Sequence, residues 1–304
     1  MPAEWTDLLD PSGDELRAQA PRELEESALA LLLQPAQHED EPRPTLRGHG
    51  DYVFGVLLAA CMPSGSEQIV YQEIDIVLTR DALLTVRKTP TGDGAAPYDV
   101  ADLRAAVKES DSGGMIVYRL LDEIAERYLD LIDDLDAQID ELEDVVEDLP
   151  AEQTRERIST HRHQLLHVRR TLAPMRDAVR RVVDDVVEVE HGPEVFPHDV
   201  EVAFNAVYDK LLRAVDGLEL TRDLLAGVRD YAQAKIANDQ NEVMKRLTVV
   251  ASLLLVPTFI VGLYGQNFVD IPELRWHWGY GWSWALIVVT TALQLWYFRR
   301  RRWF

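Results

Sequence analysis

Between about Ala28 and Thr89 the apolar positions come in short runs, Ala28 to Leu33, Tyr52 to Ala60, Gln68 to Leu78 and Leu83 to Val86. Pro42-Arg43-Pro44 and Gly48-His49-Gly50 separate them. In Ile69 to Leu78 and Leu84 to Val86, β-branched residues fall at roughly alternate positions, which predicts strands. Helices around Pro21 to Leu33 and Val100 to Lys108 would cover a mixed sheet, with a surface loop at Thr91 to Pro97. From Met115 to Val189 the spacing turns helical, with a stripe of Leu131, Leu135, Leu142 and Leu149, and Leu149-Pro150 breaks it. After Phe196-Pro197 no proline occurs before Pro257, which predicts one long helix entering the uncharged stretch Leu247 to Val269. A second uncharged stretch runs from Gly279 to Phe298. Each reaches the ~20 residues that a helix needs to cross a bilayer.

Charge makes the picture two-part. A net charge of -22 over 304 residues is too polar for a protein built mainly in lipid. The first ~240 residues are therefore expected to fold in water. Within the helical zone, Asp130, Asp133, Asp134, Asp136, Asp140, Glu141, Glu143, Asp144, Glu147 and Asp148 are answered by Arg155, Arg157, Arg162, Arg169, Arg170, Arg176, Arg180 and Arg181. This predicts an antiparallel hairpin pairing an acidic helix with a basic one, read either as a solvated hairpin whose surface ion pairs contribute about 0 to 1 kcal/mol each or as an acidic arm that meets basic residues near the membrane. Lys245 and Arg246 precede the first uncharged stretch and Arg299, Arg300, Arg301 and Arg302 follow the second, a basic collar that puts both termini in the cytoplasm. The first residues, with Glu4, Asp7, Asp10, Asp14 and Glu15, lack the pattern of a secretory signal, so the expected location is the inner (plasma) membrane, multi-pass, with the soluble part cytosolic. The organisation expected is an α+β membrane protein. It comprises an α/β domain at 1–114, a charged hairpin at 115–195, a stalk at 196–246, membrane helices at 247–263 and 282–298 around an outer loop at 264–281, and a basic tail at 299–304.

Candidate chemistry narrows the function. Cys61 is the single cysteine, which excludes an intrachain disulfide and a thiolate zinc site. No basic stripe serves nucleic acid, no glycine-rich phosphate loop serves a nucleotide, and no nucleophile with its base marks an enzyme. His163 and His167 share a helix face while His161 points elsewhere; two ligands in an arginine-rich segment do not make a zinc site. Stepping by threes and fours from Asp230 gives Ala234, Ala237, Asn241, Met244, Thr248, Ala251, Leu255, Thr258 and Gly262, a smaller and more polar face than the one holding Leu253, Leu254, Phe259 and Ile260. Close packing in lipid also selects small residues; the polar Asn241, Thr248 and Thr258 favour a water-facing lumen. Two spans cannot enclose a pore, so transport requires several copies around an axis. Asp270 and Glu273 in the outer loop would gather cations.

The residues Asn241-Glu-Val-Met244-Lys245-Arg-Leu247-Thr248, then Thr258-Phe-Ile-Val-Gly262-Leu-Tyr264-Gly265-Gln266-Asn267-Phe268, then Ile271-Pro272-Glu273-Leu274 and Gly279-Tyr280, resemble the end of the CorA family of magnesium channels. Arg43-Pro44 and Asp51-Tyr52-Val53-Phe54 resemble the family's cytosolic α/β domain more loosely. The resemblance implies a funnel-shaped homopentamer with the first span lining the pore and the second outside it. It implies an entrance ring of Gly265, Gln266 and Asn267, with hydrated metal held at Asn267, Asn241 and Asp230. Mg²⁺ is then the transported ion and a candidate regulatory one, with Co²⁺ and Ni²⁺ as companions, and no cofactor is expected. Two departures stand out. Gln266 replaces the methionine of the family's Gly-Met-Asn, a position that the zinc-transporting branch also varies, and Ala206-Val207-Tyr208-Asp209 stands where magnesium-gated relatives carry acid. These leave a proton-coupled Zn²⁺ transporter as one alternative and a membrane-anchored scaffold as another. They also predict weak metal gating, unless Glu39-Asp40-Glu41 or the arm from Asp140 to Asp148 supplies ligands.

Overall fold

A computed structural model describes residues 4–22, 24–36, 41–63, 68–90, 96–108, 110–187, 189, 194–267 and 271–303. It forms two compact units, Met1–Arg229 and Asp230–Phe304.

The first unit is built on a five-stranded mixed sheet. Its strands are β1 (Glu4–Leu9), β2 (Thr45–His49), β3 (Tyr52–Cys61), β4 (Val70–Leu78) and β5 (Ala82–Arg87), in the order β1-β5-β4-β3-β2. β1 pairs parallel with β5 and the other pairs are antiparallel. β4 and β5 answer the expected strands, β3 falls on the apolar run Tyr52 to Ala60, and β1 and β2 lie outside all of these. β1 is held by side chains as well as its ladder: Arg87 Nη2 lies 2.8 Å from Asp7 Oδ2, and Thr85 Oγ1 donates to Asp7 Oδ1 at 2.7 Å.

Along β3 and β4 nearly every residue is buried, which an alternating half-exposed sheet would not give. Both faces are covered. On one face Leu8, Phe54, Val77, Leu84 and Val86 pack with Leu16 of α1 (Gly13–Gln19) and Ala28 and Leu32 of α2 (Glu26–Leu32). The helix expected over Pro21 to Leu33 is thus the shorter α2, with α1 ahead of it. A short α3 (Ala101–Ala106) falls within the expected Val100 to Lys108. The loop at Thr91 to Pro97 lies mostly outside the described residues, at 91–95.

The other face carries long helices, with α4 (Gly113–Val145) packing on β3 and α5 (Ala151–Val183) on β2 and β3. Ser112 caps α4 by accepting from the Met115 amide at 3.2 Å. Pro150, which cannot continue a helix above it, sits at the start of α5. The exposed acids of this hairpin fit its solvated reading. The acids of α4 that find lysine meet it on α6 (His198–Tyr264), where Lys210 Nζ lies 2.6 Å from both Asp122 and Glu126. Asp133, Asp134, Asp140, Glu141, Glu143 and Asp144 are solvent-exposed. Apolar burial by α4 of Leu131, Leu135, Ile139 and Leu142 outweighs ion pairs that water screens.

At 67 residues α6 is ~100 Å long, at 1.5 Å rise per residue. Its first half buries Val200, Phe204, Val207, Leu211, Ala214, Leu218, Leu225 and Val228 in the first unit. The second unit holds its remainder, a 3₁₀ turn at Pro272–Arg275 and α7 (Gly279–Arg300).

Candidate ion pathway

The second half of α6 contains the one stretch, among the described helices, that is long and apolar enough to cross a membrane by length and composition. The sequence pattern leads one to expect two. α7, at 22 residues, has the length, but Trp282, Trp284, Trp296, Tyr297 and Gln294 lower its hydropathy. Tryptophan and tyrosine are the residues that favour the membrane-water boundary.

α7 meets α6 on one face only. Val249, Ser252, Leu253, Val256 and Ile260 are buried or half-buried at helical spacing, and Gln294 Nε2 donates to the Ser252 carbonyl at 3.2 Å. The predicted stripe lies elsewhere on the helix: Asn241, Met244, Thr248, Ala251, Leu255, Thr258 and Gly262 are all exposed, as is Asp230. Of the four residues expected opposite the stripe, Leu253 and Ile260 lie on the α7 face, whereas Leu254 and Phe259 are open. Leu255 is 70% exposed and Phe259 69%, apolar surface that calls for lipid or further copies of the chain.

The hydroxyls of the stripe are turned into the helix. Thr248 Oγ1 donates to the Met244 carbonyl at 2.8 Å and Thr258 Oγ1 to the Leu254 carbonyl at 2.7 Å. Each oxygen keeps acceptor capacity and presents no proton to a passing cation.

α6 ends at Tyr264, the Gly265 amide closing the last turn onto the Val261 carbonyl at 2.9 Å. Exposed Gly265, Gln266 and Asn267 follow directly. The helix end therefore brings its carbonyls, worth about half a negative charge, to the two carboxamides. Ile260, Tyr264, Trp276, Tyr280 and Trp284 line a cavity of about 530 Å³ beneath the returning loop. Gly279 makes that return: a Cβ there would overlap the Glu273 carbonyl oxygen. Glu273 is part of the 3₁₀ turn, while Asp270 lies outside the described residues.

Of the basic collar, Lys245, Arg246 and Arg299 to Arg302 are exposed, with Arg246 held 2.5 Å from Glu242 and Arg300 stacked over Trp296 at 5.4 Å. Ala206 is exposed and offers no ligand oxygen. Glu41 meets His167 Nε2 at 2.7 Å and His163 is exposed; Glu39 and Asp40 lie outside the described residues. No cluster of three metal-binding side chains occurs among the described residues.

The chain thus joins an α/β unit to a unit whose helix is long and apolar enough to cross a membrane and ends at Gly265, Gln266 and Asn267, an organisation that fits a membrane transporter. The model for the CorA-like Mg²⁺ transporter protein family matches residues 4–300, and the chain belongs to that family. Members of the family are ion transporters or channels rather than enzymes. Over 86% of its length the chain is 29% identical to the cobalt/magnesium transport protein CorA of Thermotoga maritima, covering 73% of that protein. It is 26% identical to the zinc transport protein ZntB of Klebsiella pneumoniae over 88% of this chain and 78% of the relative. The complete structure of the CorA magnesium transporter from Methanocaldococcus jannaschii shares the fold with a TM-score of 0.78 at 20% identity, over 99% of this chain and 91% of that one.

Proposed function

We infer that the chain conducts Mg²⁺ inward as one of five copies around an axis, α6 lining the path and α7 outside it, with both termini cytoplasmic. The observation that carries this reading is the exposed stripe from Asn241 to Gly262, followed directly at the helix end by exposed Gly265, Gln266 and Asn267. Mg²⁺ gives up water reluctantly. Neutral carboxamides suit it because they hydrogen-bond to the hydration shell without stripping it, and Asn241 and Asp230 offer further stations along the same line. The membrane potential supplies roughly 2.3 kcal/mol per charge per 100 mV, twice that for a dication, so no nucleotide is needed. Glu273 and Asp270 would raise the local cation concentration, and the arginine collar would anchor the cytoplasmic ends.

Gln266 and the likeness to a zinc transport protein favour a second reading, Zn²⁺ transport coupled to protons. Uptake of Mg²⁺ against Zn²⁺ in one liposome preparation, with and without a pH gradient, separates the two. Potential-driven Mg²⁺ flux indifferent to the pH gradient supports the channel; Zn²⁺ flux that follows the gradient overturns it. Gln266→Met is expected to shift the Mg²⁺ to Zn²⁺ ratio without changing oligomer size, and an unchanged ratio would remove Gln266 from the selectivity assignment.

Gating by cytosolic metal requires the closed state to bind metal more tightly than the open one. With Ala206 in the stalk, that difference is small. Currents recorded against internal Mg²⁺ should show weak inhibition, and steep inhibition at low millimolar concentration would contradict this.

A further inference from the structure

The sheet face under α1 and α2 changes character at one end. On β4 its residues run Val77, Asp75, Glu73, and from β5 onward Leu84, Val86, Lys88, so the apolar cluster gives way to three charges. All three are buried: the side chains of Lys88, Glu73 and Asp75 are 5%, 7% and 2% exposed. Lys88 Nζ lies 2.5 Å from Glu73 Oε1 and 2.8 Å from Asp75 Oδ2, and 3.4 Å from the Leu31 carbonyl oxygen. Asp75 Oδ1 has no hydrogen-bond partner. It belongs to a residue that lines a cavity of about 110 Å³, with room for water.

Charge counting defines what is missing. Two carboxylates against one ammonium leave one net negative charge in a place almost without solvent, where an unbalanced charge is costly. A divalent ion would overshoot, leaving one net positive charge. We propose that Glu73 and Asp75 form a binding site for one monovalent positive charge, taken up as a proton on Asp75, with Lys88 as a tethered permanent occupant beside it. The cavity favours a proton over an alkali ion: Leu31, Pro35, Pro42, Phe54 and Val56 make up most of its wall, leaving few oxygens to replace a hydration shell. Among the described residues, no other charged group lines it from β3, α2 or the segment after α2.

The electrostatics agree with the geometry. Burial, opposed by Lys88 and reinforced by Glu73, pushes the Asp75 carboxyl up to about 7. Burial alone would lower Lys88, but Asp75 and Glu73 more than offset it and hold the ammonium charged. A carboxyl raised in the folded chain takes a proton that the unfolded chain releases. Its contribution to stability therefore grows as pH falls from about 8 through 7 toward the ordinary carboxyl value near 4, and is lost as pH rises.

The test uses the full-length protein in detergent. Infrared spectra of the wild type should show a protonated-carboxyl band titrating near neutral pH, absent from Asp75→Asn. The thermal unfolding temperature of the wild type should rise by about 2 °C relative to Asp75→Asn when pH is lowered from 8 to 6. A band and a pH slope unchanged in Asp75→Asn, or no such band in the wild type, would overturn the site. Replacing K⁺ by choline is expected to leave the midpoint in place; a midpoint that moves with K⁺ assigns the charge to an alkali ion and overturns the proton.

Discussion

Asn267→Ala is expected to abolish Mg²⁺ uptake while the protein still inserts and assembles. Asn267 is exposed immediately after the last turn of α6, where no packing depends on its side chain. Its loss therefore leaves the fold intact. In a fivefold ring the substitution removes five carboxamides together. At about 1 kcal/mol for each hydrogen bond to the hydration shell, the loss is about 5 kcal/mol, more than a thousandfold in rate. Liposome uptake beside a sizing measurement checks it, and near-normal flux in a correctly assembled mutant would refute the entrance assignment.

The second large effect is expected at Gly279, through backbone rather than ion contact. A methyl group there would overlap the Glu273 carbonyl oxygen and stand 3.1 Å from its carbon, both main-chain atoms that no rotamer change can move aside. Gly279→Ala should displace the loop that returns from the mouth to α7 and cut uptake by roughly tenfold or more, a 1 Å misplacement being enough for large losses. Gly281, where an added methyl would have nothing within 4 Å, supplies the control. Gly281→Ala should transport normally. Equal uptake by the two variants would show that the loop geometry is dispensable.

How far the sequence spoke depends on where each signal was local. Alternation in Ile69 to Leu78 announced β4, and the proline-free run after Pro197 announced α6, because both are properties of a single segment. β1 was silent: Glu4–Leu9 becomes a strand by pairing with Ala82–Arg87, distant in sequence, and nothing in its own composition says so. The acidic and basic helices carry a local signal that says little about packing. Their charges were conspicuous along the chain, yet water screens most of them and apolar burial sets the packing. The stripe on α6 was legible from spacing, since helical periodicity needs no partner to be read. The burial of Glu73 and Asp75 was not announced by the alternation of β4. A signal was present all the same, because they share a face with Val77, and Lys88 follows Leu84 and Val86 on the paired strand.

The sheet order has a consequence for synthesis. Among the described residues every strand lies within the first 87, and α1 and α2, which cover one face, lie there too. Translation proceeds at roughly 5–20 residues per second, so about 10 to 30 s separate the emergence of β5 from that of the hydrophobic half of α6. Hairpins and small sheets form in far less time than that. The strands can thus find their order on the ribosome before the apolar half of α6 emerges, and that helix follows a sheet already taking shape.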